Sequence, residues 1–154
     1  MKTGRKAFNI TLFMALLIIM MVGGYFIYNN YSKNSNKVCI ENKACFYVEI
    51  ADSPSERERG LSGKQPLEID RGMLFIFEKE ILSGFWMKDM NFPIDIIWID
   101  KNKKIIGIEE SLEPCEEGKE CPVFYPKREA MYVLEINSGL SKTYDFGEND
   151  SVSF

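Results

Sequence analysis

WMKDMNFPIDIIWID, residues 86–100, decides how this chain folds. Pro93 breaks the run, and Ile94 to Asp100 then reads as a strand rich in β-branched and aromatic residues. Lys101-Asn102-Lys103 is a turn, and Lys104 to Ile108 returns, which predicts a hairpin. Gly72 to Phe77 is wholly apolar and so belongs near the centre of a sheet. Phe46 to Ile50, Phe85 to Met87, Tyr132 to Asn137 and a short Asp150 to Phe154 complete the strands, with Glu109 to Cys121 an acidic loop. Helix signals are few. Ser53-Pro54-Ser55-Glu56 is a capping box with proline at the first helical position, and Gly60 can end that helix after Arg59. Leu140 to Tyr144 is a second helical turn. The expected class is all-β, a compact sandwich or barrel-like domain with one or two short helices.

Working outward, the N-terminal end of the chain has a different character. Ala7 to Ser32 carries no charge, and Phe8 to Tyr28 is almost entirely apolar. As a helix this run would be about 31 Å long, enough for a bilayer core of about 30 Å. Lys2, Arg5 and Lys6 precede it, which places residues 1–7 in the cytoplasm by the positive-inside rule. The expected organisation is a tail at 1–7, a transmembrane anchor at 8–28, a polar linker at 29–37 and an exported domain at 38–154. Val22-Gly23-Gly24 would suit signal cleavage, but the apolar run continues through Phe26 and Ile27, which fits an uncleaved signal anchor better. The expected location is therefore the cell membrane, single-pass, with the domain extracytoplasmic and the helix as its membrane contact.

Composition excludes some chemistry. The chain has no histidine, and so lacks the commonest general base and metal ligand. Of its 19 basic residues three lie before the anchor, leaving 16 against 23 acidic residues beyond Tyr28. An acidic domain without a basic stripe argues against a nucleic-acid partner. No Gly-x-Ser-x-Gly motif is present, so nucleophilic catalysis has little support.

Four cysteines form two short loops, Cys39 with Cys45 and Cys115 with Cys121, each closing over five residues. Three connectivities are possible for an exported domain. Val38-Cys39-Ile40 and Ala44-Cys45-Phe46 read as arms of one hairpin, which favours the local pairs. Loops this short contribute at most about 2–2.5 kcal/mol each in the chain-entropy model. A four-cysteine zinc site would need closer ligand spacing, so no metal and no cofactor are expected.

Several segments, in order, resemble one known family. They are Glu58-Arg59-Gly60-Leu61, Gly72 to Phe77, Phe85-Trp86-Met87-Lys88, Pro93-Ile94-Asp95-Ile96 and Tyr132 to Gly139. Together they are similar to the domain of unknown function 192 family over about Tyr47 to Phe154. The resemblance implies a compact, mainly-β, often exported domain and supplies no activity. Two positions depart from the family's pattern: Ser62-Gly63-Lys64 after the Gly-Leu pair, and Asp89 where asparagine is common.

Candidate ligand-binding residues are Arg59, Met73, Trp86, Lys88, Asp89, Asp95 and Glu135. A lysine flanked by carboxylates on an aromatic floor suits a small polar ligand. The structural alternative has Asp95 capping a turn or pairing with Lys88, with Trp86 in the core. Glu135 interrupts an apolar strand. It is either a solvated residue, an ion-pair partner of Arg59 or Lys88, or an acid of raised pKa. Met87 and Met90 have the softness for copper(I), but core methionine is far commoner. Three functional classes follow: an envelope binding or accessory module, which would engage a small polar ligand or another envelope protein; a histidine-free hydrolase using paired carboxylates; and a structural envelope protein.

Overall fold

The computed structural model describes Met14, residues 16–24 and residues 36–154. Met14 and 16–24 are helical, and no helix among the described residues is long and apolar enough to cross a membrane. The tail, much of the expected anchor and most of the linker lie outside the described residues. Asn36 to Phe154 forms a compact unit of its own.

In chain order the elements of that unit are β1 (Lys37–Ile40), β2 (Ala44–Ala51), α1 (Pro54–Arg59), β3 (Arg71–Ile81) and β4 (Phe85–Trp86). They continue with β5 (Ile94–Ile99), β6 (Ile105–Leu112), β7 (Val123–Phe124), β8 (Ala130–Asn137), α2 (Leu140–Thr143) and β9 (Val152–Ser153). The class is mainly β, as the strand pattern implied. Seven strands form one sheet in the order β6-β5-β8-β3-β2-β1-β9, and β4 pairs with β7 in a separate ribbon. Only β2 and β3 run parallel, joined by the α1 crossover; every other pair is antiparallel.

The sheet curls until its edges meet. Ile105 N–H donates to the Asp150 carbonyl at 3.0 Å and Val152 N–H to the Lys103 carbonyl at 2.8 Å, around a bridge between Lys104 and Ser151. Joining the two ends leaves fewer unpaired edge groups than a flat sheet would. Lys43 on the β1–β2 turn adds a 2.7 Å ion pair to Asp150 at this seam.

Curling creates two apolar layers. Inside the curl lie Val38, Ile40, Phe46, Leu74, Ile97, Ile99, Leu134 and Ile136. On the outer face of the central strands lie Met73, Phe75, Ile94, Ile96, Trp98 and Val133, beneath Leu61, Met87 and Phe92. Alternation along each strand sends successive side chains to opposite layers. All six residues of β5 are therefore buried, and the near-continuous apolar run that opened the reading is a strand covered on both faces.

Two sequence expectations needed correction. Glu109 to Leu112, read as the start of an acidic loop, continue β6, with Leu112 opposite Ile94 and an irregularity in register before it. Val123–Phe124 is a strand that the pattern did not announce; two residues are too few to show a period, and Pro122 and Pro126 flank them. The local cysteine pairs are both present as disulfides. Cys39 stands directly opposite Cys45 in the β1–β2 register, with their Cα atoms 4.0 Å apart.

Candidate functional site

β8 lies between β3 and β5, and Glu135 faces Met73 on one neighbour and Ile96 on the other. Leu134 and Ile136 point into the curl, so Glu135 points outward with Val133. A glycine makes this register possible. A Cβ on Gly72 would stand 2.6 Å from the Glu135 carbonyl oxygen, closer than any real side chain sits.

Outward from the sheet, Glu135 meets a cavity of about 210 Å³. Phe75, Phe85, Trp86, Leu61 and Met90 line it, and Arg57, Glu58 and Arg59 contribute from α1. The helix stands where it does because the sequence caps it locally. The Ser53 hydroxyl oxygen accepts from Glu56 N–H, and the Glu56 carboxylate accepts from Ser53 N–H at 3.0 Å. Arg57 is committed to structure, donating to the Asp52 and Ile76 carbonyls with its guanidinium 5.1 Å from the Phe77 ring. Arg59 is exposed.

The β4–β7 ribbon forms another wall. Phe85 is wedged edge-on against Phe75 and Trp98, at centroid distances of 4.9 and 5.2 Å. Its neighbour Trp86 stays 51% exposed. Gly84 lets β7 approach, since a Cβ there would collide with the Val123 and Tyr125 side chains. The Ser62 hydroxyl donates to the Lys88 carbonyl at 2.9 Å and Gly63 N–H to the Asp89 carbonyl at 2.7 Å, fastening the turn after Trp86 to the end of α1.

Electrostatically the site is unusual in one respect. Glu135 is 5% exposed, yet among the described residues its carboxyl takes part in no hydrogen bond or ion pair. Burial alone pushes its pKa up to about 8. An uncharged carboxyl can donate one hydrogen bond and accept others, and an ionised one calls for a cation. The group is thus poised between two states near neutral pH, in a chamber with aromatic walls.

The seven candidate residues do not converge. Arg59, Trp86 and Glu135 share the cavity. Met73 is buried beside Glu135 in the outer layer and does not line the opening. Lys88 is exposed, with its ammonium 5.4 Å from the Trp86 ring. Asp89 is exposed on the following turn at a φ of 58°. Asp95 belongs to the opposite face of the sheet, where it accepts from Ser111 and Gly139 N–H through one oxygen and from Ser141 N–H through the other, all within 2.9 Å. It caps backbone amides and does not line the cavity. Leu61, Phe75 and Phe85 are not candidates on sequence grounds, because apolar walls carry no chemical signature until the fold assembles them, and Met90 stands out there only as a soft thioether. Among the described residues no group of three or more His, Cys, Asp or Glu side chains could hold a metal ion, and Met87 is wholly buried while Met90 faces the cavity.

The comparisons agree on kinship. A UPF0127 protein of Thermococcus gammatolerans is 27% identical over 110 residues, 70% of this chain and 66% of its own. One from Thermococcus kodakarensis is 26% identical over 109 residues, 70% of this chain and 64% of its own. The match thus spans just under two thirds of the length of these relatives. A crystal structure from Novosphingobium aromaticivorans, of a protein of unknown function, superposes with a TM-score of 0.71 at 25% identity, covering 77% of this chain and 84% of that one. Another, from Sinorhizobium meliloti and described as a candidate transcription regulator, gives 0.69 at 28% identity over 76% and 91%. The family model of domain of unknown function 192, an uncharacterized ACR, matches residues 37–154. This chain belongs to that family, for which no specific biochemical function is established.

Proposed function

We propose that this chain is a membrane-anchored, extracytoplasmic binding module of the cell envelope, and that its site is the cavity over Glu135. One observation carries the reading: a buried carboxyl, without a partner among the described residues, faces an open chamber beneath a half-exposed tryptophan. Leaving such a group unpaired costs about 1–3 kcal/mol or more, a cost that a bound ligand would offset. The volume suits a small ligand, below the roughly 300–1,000 Å³ of drug-sized sites. Anchoring at residues 8–28 with the tail at 1–7 inside follows from the charge-free run and the three basic residues before it. Two disulfides favour an oxidising compartment.

The alternatives draw less support. A hydrolase needs two carboxylates converging on a substrate. Asp89 and Asp95 do not share the cavity with Glu135, and Glu58 stands exposed at its edge. A purely structural role leaves the half-exposed Trp86 over the cavity without a purpose. The transcription-regulator description of one structural relative does not transfer readily to a domain, residues 38–154, with 14 basic and 23 acidic residues.

Native mass spectrometry of the full chain, extracted from membranes of the cells that express it, tests the reading. The expected result is an adduct that leaves on denaturation and is absent from Glu135→Gln and Trp86→Ala chains. A bare chain that also fails to bind any member of a small polar compound library overturns it.

A further inference from the structure

We infer that the ligand of the Glu135 cavity carries a primary ammonium group, which pairs with the Glu135 carboxylate while aromatic rings enclose its carbon skeleton. The inference rests on the binding-module reading and names its ligand class. The cavity floor supports it first. Among the described residues Glu135 has no cation and no donor of its own, and an ammonium would supply charge-assisted hydrogen bonds to a carboxylate otherwise stranded in an apolar layer. An anionic ligand would meet that carboxylate on the floor, while of the cations in the wall Arg57 is held by two backbone carbonyls and Arg59 stands exposed at the edge.

The walls agree. Phe75, Phe85 and Trp86 can present ring faces, which attract cations, and Met90 adds a polarisable thioether. The molecule already shows an ammonium lodged against this tryptophan, in Lys88. Of the charged groups lining the cavity, Arg57 is occupied by two backbone carbonyls, and Glu58 and Arg59 stand exposed at the edge with opposite signs. They leave the Glu135 carboxyl as the ionisable group on the cavity floor. A domain with nine more acidic than basic residues over 38–154 also raises the local concentration of small cations around it.

The test is a charge series at constant skeleton: butylammonium, 1-butanol and butyrate, titrated by calorimetry into the full chain in detergent micelles between pH 6 and 9. Butylammonium should bind at least tenfold more tightly than 1-butanol, and butyrate should not bind. Because the carboxyl must ionise to pair, affinity for butylammonium should rise about tenfold per pH unit up to pH 8 and then level off. Glu135→Gln, nearly isosteric, should abolish the preference for the amine and flatten the pH profile. Trp86→Ala, at an exposed position that need not disturb the core, should weaken binding severalfold without flattening it. Equal affinity for 1-butanol and butylammonium, or an amine preference that survives in Glu135→Gln, overturns the ammonium assignment and leaves a binding module standing. Failure of all three probes, with no adduct by native mass spectrometry, removes both the assignment and the reading beneath it.

Discussion

Asp95 and Glu135 are two buried acids on neighbouring central strands, and their environments are opposite. Asp95 faces the inside of the curl and satisfies three backbone amides, from residues 16, 44 and 46 positions away. Glu135 faces outward and satisfies none. Each interrupts an apolar run in the sequence, so both were legible as exceptional. Which one was structural was not, because the deciding amides come from distant segments. Substitution should separate them. Asp95→Ala strands three amides and should cost about 3 kcal/mol or more, read by chemical denaturation followed through tryptophan fluorescence. Glu135→Gln should act in the other direction at alkaline pH. The folded pKa lies above the ordinary 4.5, so the native state holds the proton more tightly than the unfolded chain. Stability of the natural protein is then greatest below about pH 4.5 for this group, falls as pH rises to about 8, and is level beyond. The full span is on the order of 5 kcal/mol, and Glu135→Gln should erase that slope. A parallel slope in the variant would show that Glu135 is not its source.

At the scale of elements, local chemistry was readable and long-range assembly was not. The Ser53 capping box fixed α1 at Pro54–Arg59, and the Cys39–Cys45 hairpin formed as its flanking residues implied. The β4–β7 ribbon escaped notice, since two-residue strands have no period. Its position depends on the second disulfide. Cys121 lies two residues before β7, and Cys115 N–H donates to the Met87 carbonyl at 3.2 Å, beside Trp86. The covalent loop thus ties β7 to the turn that follows β4. Replacing Cys115 and Cys121 by serine should cost at most about 2 kcal/mol and leave the curled sheet intact. Amide hydrogen exchange should speed up at Phe85, Trp86 and Phe124 while Ile97 and Leu134 remain protected. Uniform loss of protection across β5 and β8 would show instead that the loop supports the whole domain.

Across the whole molecule, the curled sheet divides its apolar residues into an enclosed layer and an outer layer under α1 and the ribbon. The first is closed by the meeting of β6 and β9; the second is covered by short elements that leave a chamber. Strand periodicity in the sequence was enough for the class, and the wholly apolar run at Gly72 to Phe77 marked β3 as central. It could not announce the chamber, which exists only where α1, β4 and β8 come together. The proposed function rests on that gap in the outer layer, where the buried Glu135 carboxyl faces an opening. The most direct test is a carbon-13 NMR titration of the side-chain carboxyl of Glu135, assigned by its disappearance in Glu135→Gln. A midpoint of about 8 in the ligand-free protein is the predicted result. A midpoint near the ordinary 4.5 would mean that the carboxyl is solvated or already paired, and would contradict the account.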